Sequence, residues 1–218
     1  MASSIYRFPL TLNHVVTPEH TLEDTIQEFF EIHIMSDSII IWTKDNSNET
    51  LMKFFGFTSV FLSMTFILGV PLRGAISKGH VSELRTPVNN IIQSCVVGKG
   101  IVNAYSLEGK QNWMGCIVDE KCLKNIPTDE VELLISKKFS SLIKYKVPIK
   151  MKNSRGKIIF GSEINYVINW TNTPNIIEDN IEFFKDNFSR FNKNIEIKDV
   201  KNKIQNTFNF FQEYKVKN

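Results

Sequence analysis

Three short segments of the sequence combine residue types that can do phosphate chemistry. In chain order they are an acidic turn leading into a strand, a strand with Arg-Gly, and a glycine-led helix ending in Leu-Glu: SDSIIIW (36–42), PLRGAISKG (71–79) and GKGIVNAYSLEG (98–109). The backbone N–H groups of a turn such as Gly98-x-Gly100, before a helix, can cradle a phosphate. Alternatively, the two glycines only tighten the turn and bind nothing. Asp37, taken alone, also has a purely structural explanation, because Asp is common in turns.

Arg73 stands in the middle of an apolar strand and has two interpretations. A buried guanidinium without a partner is costly, so the position predicts a partner. We expect a structural ion pair with a carboxylate such as Glu108. The alternative is that Arg73 points at a triphosphate.

The order and spacing of these segments, with the Trp-x-Gly that follows at Trp113, resemble the catalytic core of class III adenylate/guanylate cyclases. The resemblance is closer to small bacterial cyclase-like proteins and covers roughly residues 20–120, about half of the chain. It implies an α+β fold of ferredoxin-like, cyclase type: a mostly antiparallel sheet with helices packed on it, plus C-terminal strands and helices. It also implies a nucleoside triphosphate ligand and a site formed in a homodimer or heterodimer.

In that family two metal ions, Mg²⁺ or Mn²⁺, clamp the attacking oxygen and the triphosphate, and carboxylates from neighbouring strands hold them. Asp37 falls where the family's second metal-binding Asp lies, so the resemblance makes it the candidate metal ligand. Residues 1–20 contain no Asp that could be the first ligand. One carboxylate is a poor anchor for two ions.

The helix after Gly98 also departs from the family pattern. Alignment on Leu-Glu puts Ser106 where the family has a transition-state Arg, and Val102 where it has an Asn. Asn103 is one residue away, a shift of about 100° round a helix. No catalytic residue is therefore assigned, and the candidate nucleotide-binding residues are Gly98, Gly100, Arg73 and Asn103.

The positions that read the base in the family fall near His33 and Cys95, and neither matches the adenine or guanine pattern. We therefore expect a cyclase-like domain with an incomplete catalytic site, which binds a nucleotide or metal ion or acts as a regulatory or interaction module. The alternative is an active cyclase that forms a cyclic nucleotide and pyrophosphate at a non-standard or shared dimeric site.

The composition is that of an ordinary globular protein, because 42% of the 218 residues are hydrophobic and 22% are charged. A net charge of +3 is too mild to predict a nucleic-acid partner. The three cysteines form no CxxC pair, which favours reduced thiols in a cytoplasmic protein, and Cys95 and Cys116 are expected in the core. The uncharged run 54–72 approaches the length of a membrane span, but its Ser and Thr residues favour a buried helix and strand, so no membrane partner is expected.

The resemblance implies a single cyclase-like domain over residues 1–218, with a core at 20–120 and a C-terminal extension at 121–218 packed on it. The predicted elements are a helix at 21–30, a hairpin at 31–44, a helix at 51–68, a strand at 70–79, an irregular excursion at 80–93, a helix closed by Gly109, a strand at 112–119, a helix at 128–144, strands at 147–152, 157–160 and 164–170, and helices near 177–192 and 197–214.

Overall fold

The computed structural model describes residues 28–35, 37–88, 91–136, 140–172, 177–190 and 194–215. These residues form a mixed α+β structure with mostly antiparallel strands, which confirms the expected fold class at that level. The chain divides into two compact units, the first ending at Leu51 and the second beginning at Met52. Most of the helix predicted at 21–30 lies outside the described residues.

The first unit contains the predicted hairpin. Strands β1 (Phe30–Met35) and β2 (Ser38–Thr43) pair antiparallel as a two-stranded sheet of their own, with Met35 opposite Ser38. Helix α1 (Asn48–Ile67) begins directly after Ser47, whose Oγ accepts the Thr50 N–H at 3.1 Å and so caps the helix.

The second unit contains α1 from Met52 onward and the remaining elements. They are, in chain order, β3 (Arg73–Ile76), β4 (Ser82–Val88), β5 (Ile91–Val97), α2 (Lys99–Lys110), β6 (Gly115–Val118), a 3-10 turn at Glu120–Cys122, α3 (Thr128–Ser136), β7 (Leu142–Lys152), β8 (Ile158–Ile168), α4 (Ile181–Ser189) and α5 (Lys198–Tyr214). Four strands form one sheet in the order β3-β6-β8-β7. Only β3 and β6 run parallel in it, so the chain between them, including α2, is a crossover connection.

Aromatic side chains fill the core of this unit. Phe210 of α5 contacts Trp113 just before β6, with ring centroids 4.6 Å apart, and also contacts Trp170 after β8 at 5.6 Å. Phe66 of α1 contacts Phe184 of α4 at 4.8 Å. All five rings are fully buried, so the C-terminal helices close the core that the sheet begins.

The apolar run at 54–72 is a helix that leads into strand β3, as predicted. Helix α1 is long and apolar enough to cross a membrane by length and composition, and 39% of its most apolar window is buried. A core helix of a soluble protein passes the same test. Ser59 and Ser63 are buried and donate to the backbone carbonyls of Asn169 and Trp170, which gives the polar residues of the run protein partners.

The prediction of an irregular excursion at 80–93 was wrong, because β4 and β5 form a regular antiparallel hairpin there. Strand β4 contains Pro87, which is opposite Ile92 in the register. The hairpin is a separate two-stranded sheet, and an edge strand tolerates a residue that cannot donate to a ladder. The prediction that Cys95 is a core residue was also wrong. Cys95 is exposed beside its cross-strand partner Leu84, while the next residue, Val96, points inward.

Three predicted boundaries also need correction. Helix α2 runs through Gly109 to Lys110 and is capped at Gln111, so Gly109 is not its cap. Helix α3 ends at Ser136 and Leu142 begins β7, because Ser140 exchanges hydrogen bonds with the Leu142 backbone and so competes with a helix there. The separate strands predicted at 157–160 and 164–170 are one strand, β8, which is continuous through Gly161.

Gly98 and Gly109 provide a test of how α2 is fixed to the chain before it. Gly98 has a φ of +150°, and a Cβ there would lie 2.0 Å from the His80 carbonyl oxygen, whereas a Cβ on Gly109 would meet nothing within 4 Å. We expect Gly98→Ala to lower the free energy of unfolding by about 2 kcal/mol or more. The control, Gly109→Ala, should raise it by about 0.5–1 kcal/mol. Urea unfolding followed by tryptophan fluorescence measures both, and equal effects would contradict this description of the turn.

Candidate functional site

The carboxyl ends of the parallel strands β3 and β6 meet the start of helix α2. Crevices outside the carboxyl ends of parallel strands are common ligand sites. The Asp119 N–H, just after β6, donates to the Ile76 carbonyl at 2.8 Å, and the Ser77 hydroxyl donates to the Gly100 carbonyl at 2.6 Å. The start of α2 is therefore bonded to the residue that follows β3, and the end of β3 is bonded to the residue that follows β6.

The glycines of this turn are required by close backbone contact. The Gly100 N–H donates to the His80 carbonyl at 3.2 Å, and a Cβ on Gly79 would lie 2.5 Å from the Gly100 nitrogen. Together with the positive φ of Gly98, this contact supports the interpretation that the glycines tighten the turn. Because Gly100 already donates its N–H within the protein, a phosphate at this turn would have to use other donors.

Arg73 forms the ion pair predicted from its strand position. Its Nε donates to Glu108 Oε1, and its Nη1 donates to the Gln111 carbonyl at 2.9 Å. The two side chains are only 28% and 26% exposed, which makes this a largely buried pair. The structural interpretation of Arg73 is thus confirmed as a contact.

Gln111 completes this polar network and was missed by sequence reasoning. Its side chain is fully buried, its Nε2 donates to the Gly74 carbonyl at 2.7 Å, and its Oε1 accepts the Trp113 indole N–H at 3.0 Å. The only sequence signal was a polar residue placed between a helix end and an apolar strand. Gln111 therefore ties the end of α2 to strand β3 and to the aromatic core.

Arg73 and the glycine turn lie at opposite ends of α2. Arg73 contacts Glu108 and Gln111 at the carboxyl end of the helix, whereas Gly98 and Gly100 are at its amino end. The eight residues from Gly100 to Glu108 correspond to about 12 Å along a helix axis. The structure does not bring these candidate nucleotide-binding residues together.

The middle of α2 carries Asn103 and the positions aligned with the family's catalytic side chains. Asn103 is half-buried, and its side chain makes no hydrogen bond within the described part of the chain. Val102, Tyr105 and Ser106 are exposed. Asn103 therefore lies about one helical turn after Gly100, on the same helix, and is less exposed than Val102 at the position aligned with the family's Asn.

Asp37 belongs to the first unit and lies in the turn between β1 and β2, where the sequence predicted it. It is exposed and accepts a 3.4 Å hydrogen bond from the hydroxyl of Ser38. Within the described ranges there is no group of three or more His, Cys, Asp or Glu residues that could hold a metal ion. His33, one of the two positions near base recognition, is half-buried in β1.

Two thiols lie close to the carboxyl ends of β3 and β6. Burial, reinforced by the neighbouring Cys122, raises the pKa of the Cys116 thiol far above its usual range. Burial, and then the negative charge of Asp119, raises the pKa of Cys122 to about 12. Because the thiolate is the reactive form, neither cysteine is suited to act as a nucleophile.

No protein-family model, curated protein or solved structure matches the chain. The resemblance to cyclases therefore stays with the three sequence segments that carry it.

The reactivity of the three thiols tests whether Cys116 and Cys122 are buried. At pH 8 a thiol with a pKa of about 12 is ionised in about one molecule in ten thousand. We expect one fast thiol in a native titration with Ellman's reagent, assigned to the exposed Cys95, and slow reaction of Cys116 and Cys122. Cys95→Ser should abolish the fast phase. A fast phase that survives in this variant would show that a buried thiol is accessible.

Proposed function

We propose that the chain is a nucleotide-cyclase-like α+β protein with an incomplete catalytic site, which binds a nucleotide as a regulatory or interaction module and does not turn it over. The observation that carries this proposal is the position of Arg73. Its guanidinium is engaged by Glu108 and the Gln111 carbonyl at the end of α2 that lies away from the glycine turn. A cation held in this way is not free to neutralise charge on a phosphate at the turn.

The proposed nucleotide position is the amino end of α2, next to Gly98, Gly100 and Asn103. A helix start offers N–H groups and a partial positive charge that favour a phosphate. The half-buried Asn103 leaves its amide free of hydrogen bonds to other described residues, so it could contact a ribose or base. The ferredoxin-like, cyclase-type arrangement of the sheet is part of this proposal.

A divalent ion, Mg²⁺ or Mn²⁺, would accompany a bound triphosphate. Asp37 is the candidate ligand, but it is a single exposed carboxylate whose described neighbours do not complete a ligand set. Two metal ions need carboxylates from more than one position. The residues described thus do not fit a two-metal site, and we derive no catalytic step through one.

A dimer, formed with a second copy or a related chain, is a further part of the proposal. Val102 and Tyr105 are exposed on α2, and exposed apolar side chains of this size favour a protein contact. A regulatory module in a cytoplasmic cyclase-like assembly would use such a face.

The test combines turnover and binding. Purified protein is incubated with Mn²⁺ and each of the four nucleoside triphosphates, and cyclic monophosphates are sought by mass spectrometry. We expect no cyclic product, together with a rise of a few degrees in the melting temperature at saturating concentrations of at least one nucleotide. Asp37→Asn, which changes an exposed side chain, serves as the matched variant.

Two outcomes would contradict the proposal. A cyclic product that disappears in Asp37→Asn would make the chain an active cyclase. No product and no change in melting temperature with any nucleotide would remove nucleotide binding.

A further inference from the structure

Strands β7 and β8 form a long two-stranded ribbon whose outer face has a regular chemical pattern. Side chains alternate between the two faces of a strand, so every second residue shares a face. The register places four lysines of β7 directly opposite four apolar or aromatic residues of β8 on the same face: Lys144 opposite Tyr166, Lys146 opposite Ile164, Lys150 opposite Phe160, and Lys152 opposite Ile158. One face therefore carries four cations beside four apolar or aromatic side chains, two pairs on each side of the central pair Pro148 and Ser162. We call it the Lys–Ile face.

The apolar row of this face is exposed. Ile158 is 55% exposed, Phe160 51% and Ile164 70%, although fully apolar side chains are costly to leave in water. The opposite face of the ribbon is buried along Tyr145, Val147 and Ile149, but nearer the turn its Met151 and Ile159 are each 40% exposed. Both faces are therefore open near the turn, whereas beside the buried stretch only the outer face exposes apolar side chains, Ile164 above all.

Positive charge is concentrated in this ribbon. Residues 142–168 contain six cationic side chains, including Arg155 and Lys157 in the turn, and one acidic side chain, Glu163, giving a surplus of five positive charges. The whole chain carries only +3, so the remainder has an excess of two negative charges. Glu163 is opposite Val147 in the register and so belongs to the other face.

One lysine of the row is already engaged. Lys150 Nζ donates to Asp199 Oδ2 at 2.9 Å at the start of α5. Lys144 lies over the ring of its partner Tyr166, 5.2 Å from the centroid, and keeps its charge at the surface. Lys146 and Lys152 are exposed beside Ile164 and Ile158, and no ion pair engages either side chain within the described residues.

From this pattern we infer that the Lys–Ile face docks on an anionic phospholipid surface. Isoleucine and phenylalanine side chains enter the boundary between headgroups and acyl chains, while lysines extend along the apolar surface and keep their ammonium groups at the phosphates. From Lys144 to Lys152 the face extends about 27 Å, enough to contact several lipids. The sequence analysis predicted no membrane partner, because it considered only whether the apolar run 54–72 could span a membrane. The ribbon is a separate surface.

Two other partners fit the pattern less well. Nucleic acids are held by aromatic side chains that stack on bases. The row offers Phe160 and Tyr166 for this, but Lys144 lies over the Tyr166 ring, and the two most exposed side chains, Ile158 and Ile164, are aliphatic. A second copy of the chain docking the same face on itself would bring two surplus charges of the same sign together. The lipid surface alone matches both the cationic and the aliphatic row.

The test is binding to vesicles, with the full chain. The probes are vesicles of phosphatidylcholine alone and vesicles with about 30% phosphatidylserine, measured by co-sedimentation at low salt. We expect binding to the anionic vesicles only, and its loss at about 0.5 M salt because screening shortens the range of the attraction. Lys146→Gln/Lys152→Gln should weaken binding roughly 30-fold, and Ile164→Gln about tenfold.

Matched controls change the same chemistry elsewhere. Lys121→Gln/Lys124→Gln removes two exposed lysines just after β6, and Leu84→Gln removes an exposed apolar side chain from β4. We expect both controls to bind anionic vesicles like the wild type. All six replaced side chains are exposed, so the variants should fold, as circular dichroism would show.

Three results would overturn the inference. In the first, the wild-type protein does not bind anionic vesicles. In the second, the lysine variant and its control bind the vesicles equally well. In the third, the wild-type protein binds a 20-nucleotide single strand more tightly than vesicles, and only the lysine variant loses this binding. The last result would reassign the face to nucleic acid. None of these readouts depends on nucleotide turnover, so the inference and the proposed function fail separately.

Discussion

The second unit depends on one buried polar network, which joins the end of helix α2 to the parallel strands. Arg73, Glu108 and Gln111 are drawn from a strand, a helix and the helix cap, and each satisfies a polar group of another. A buried guanidinium or amide without these partners would cost several kcal/mol. The network therefore fixes where the crossover helix ends, and Gln111 extends it to Trp113 in the aromatic core.

Helix α2 is held differently at its two ends. At the amino end, backbone meets backbone through Gly79 and Gly100, and no side chain could be added at Gly98 without a clash. At the carboxyl end, the contact is ionic and made by side chains. The sequence analysis had placed Arg73 and the glycine turn in one nucleotide site, but they lie at opposite ends of α2. The proposed phosphate position is therefore at the amino end alone.

Local patterns in the sequence were enough for several elements and for one contact. The hairpin before α1, α1 itself and β6 follow from β-branched runs and apolar length, and the ion pair of Arg73 follows from the cost of a buried cation. What failed was non-local. The pairing of β4 with β5 was missed, and Leu142 was assigned to the predicted helix at 128–144, although its pairing with Ile168 makes it part of a strand.

Two features of the structure could not be predicted from the sequence, because each depends on which distant residues become neighbours. The lysines of β7 are visible as an alternating row, but only the register shows that Ile158, Phe160 and Ile164 lie beside them on one face. Gln111 is likewise an unremarked polar residue until its burial is known. In both places the chemistry comes from pairs of residues that are distant in sequence.

The most direct test of the central claim is a double-mutant cycle on Arg73 and Glu108, measured with and without saturating Mg²⁺ and ATP. Arg73→Met and Glu108→Gln keep the approximate shapes of the side chains while removing the charges. A structural pair that is about a quarter exposed should give a coupling energy of about 1–3 kcal/mol, unchanged by nucleotide. A coupling energy near zero would show that the pair does not tie α2 to β3, and one that disappears when ATP is bound would show that Arg73 serves the phosphate. Either result would contradict the account.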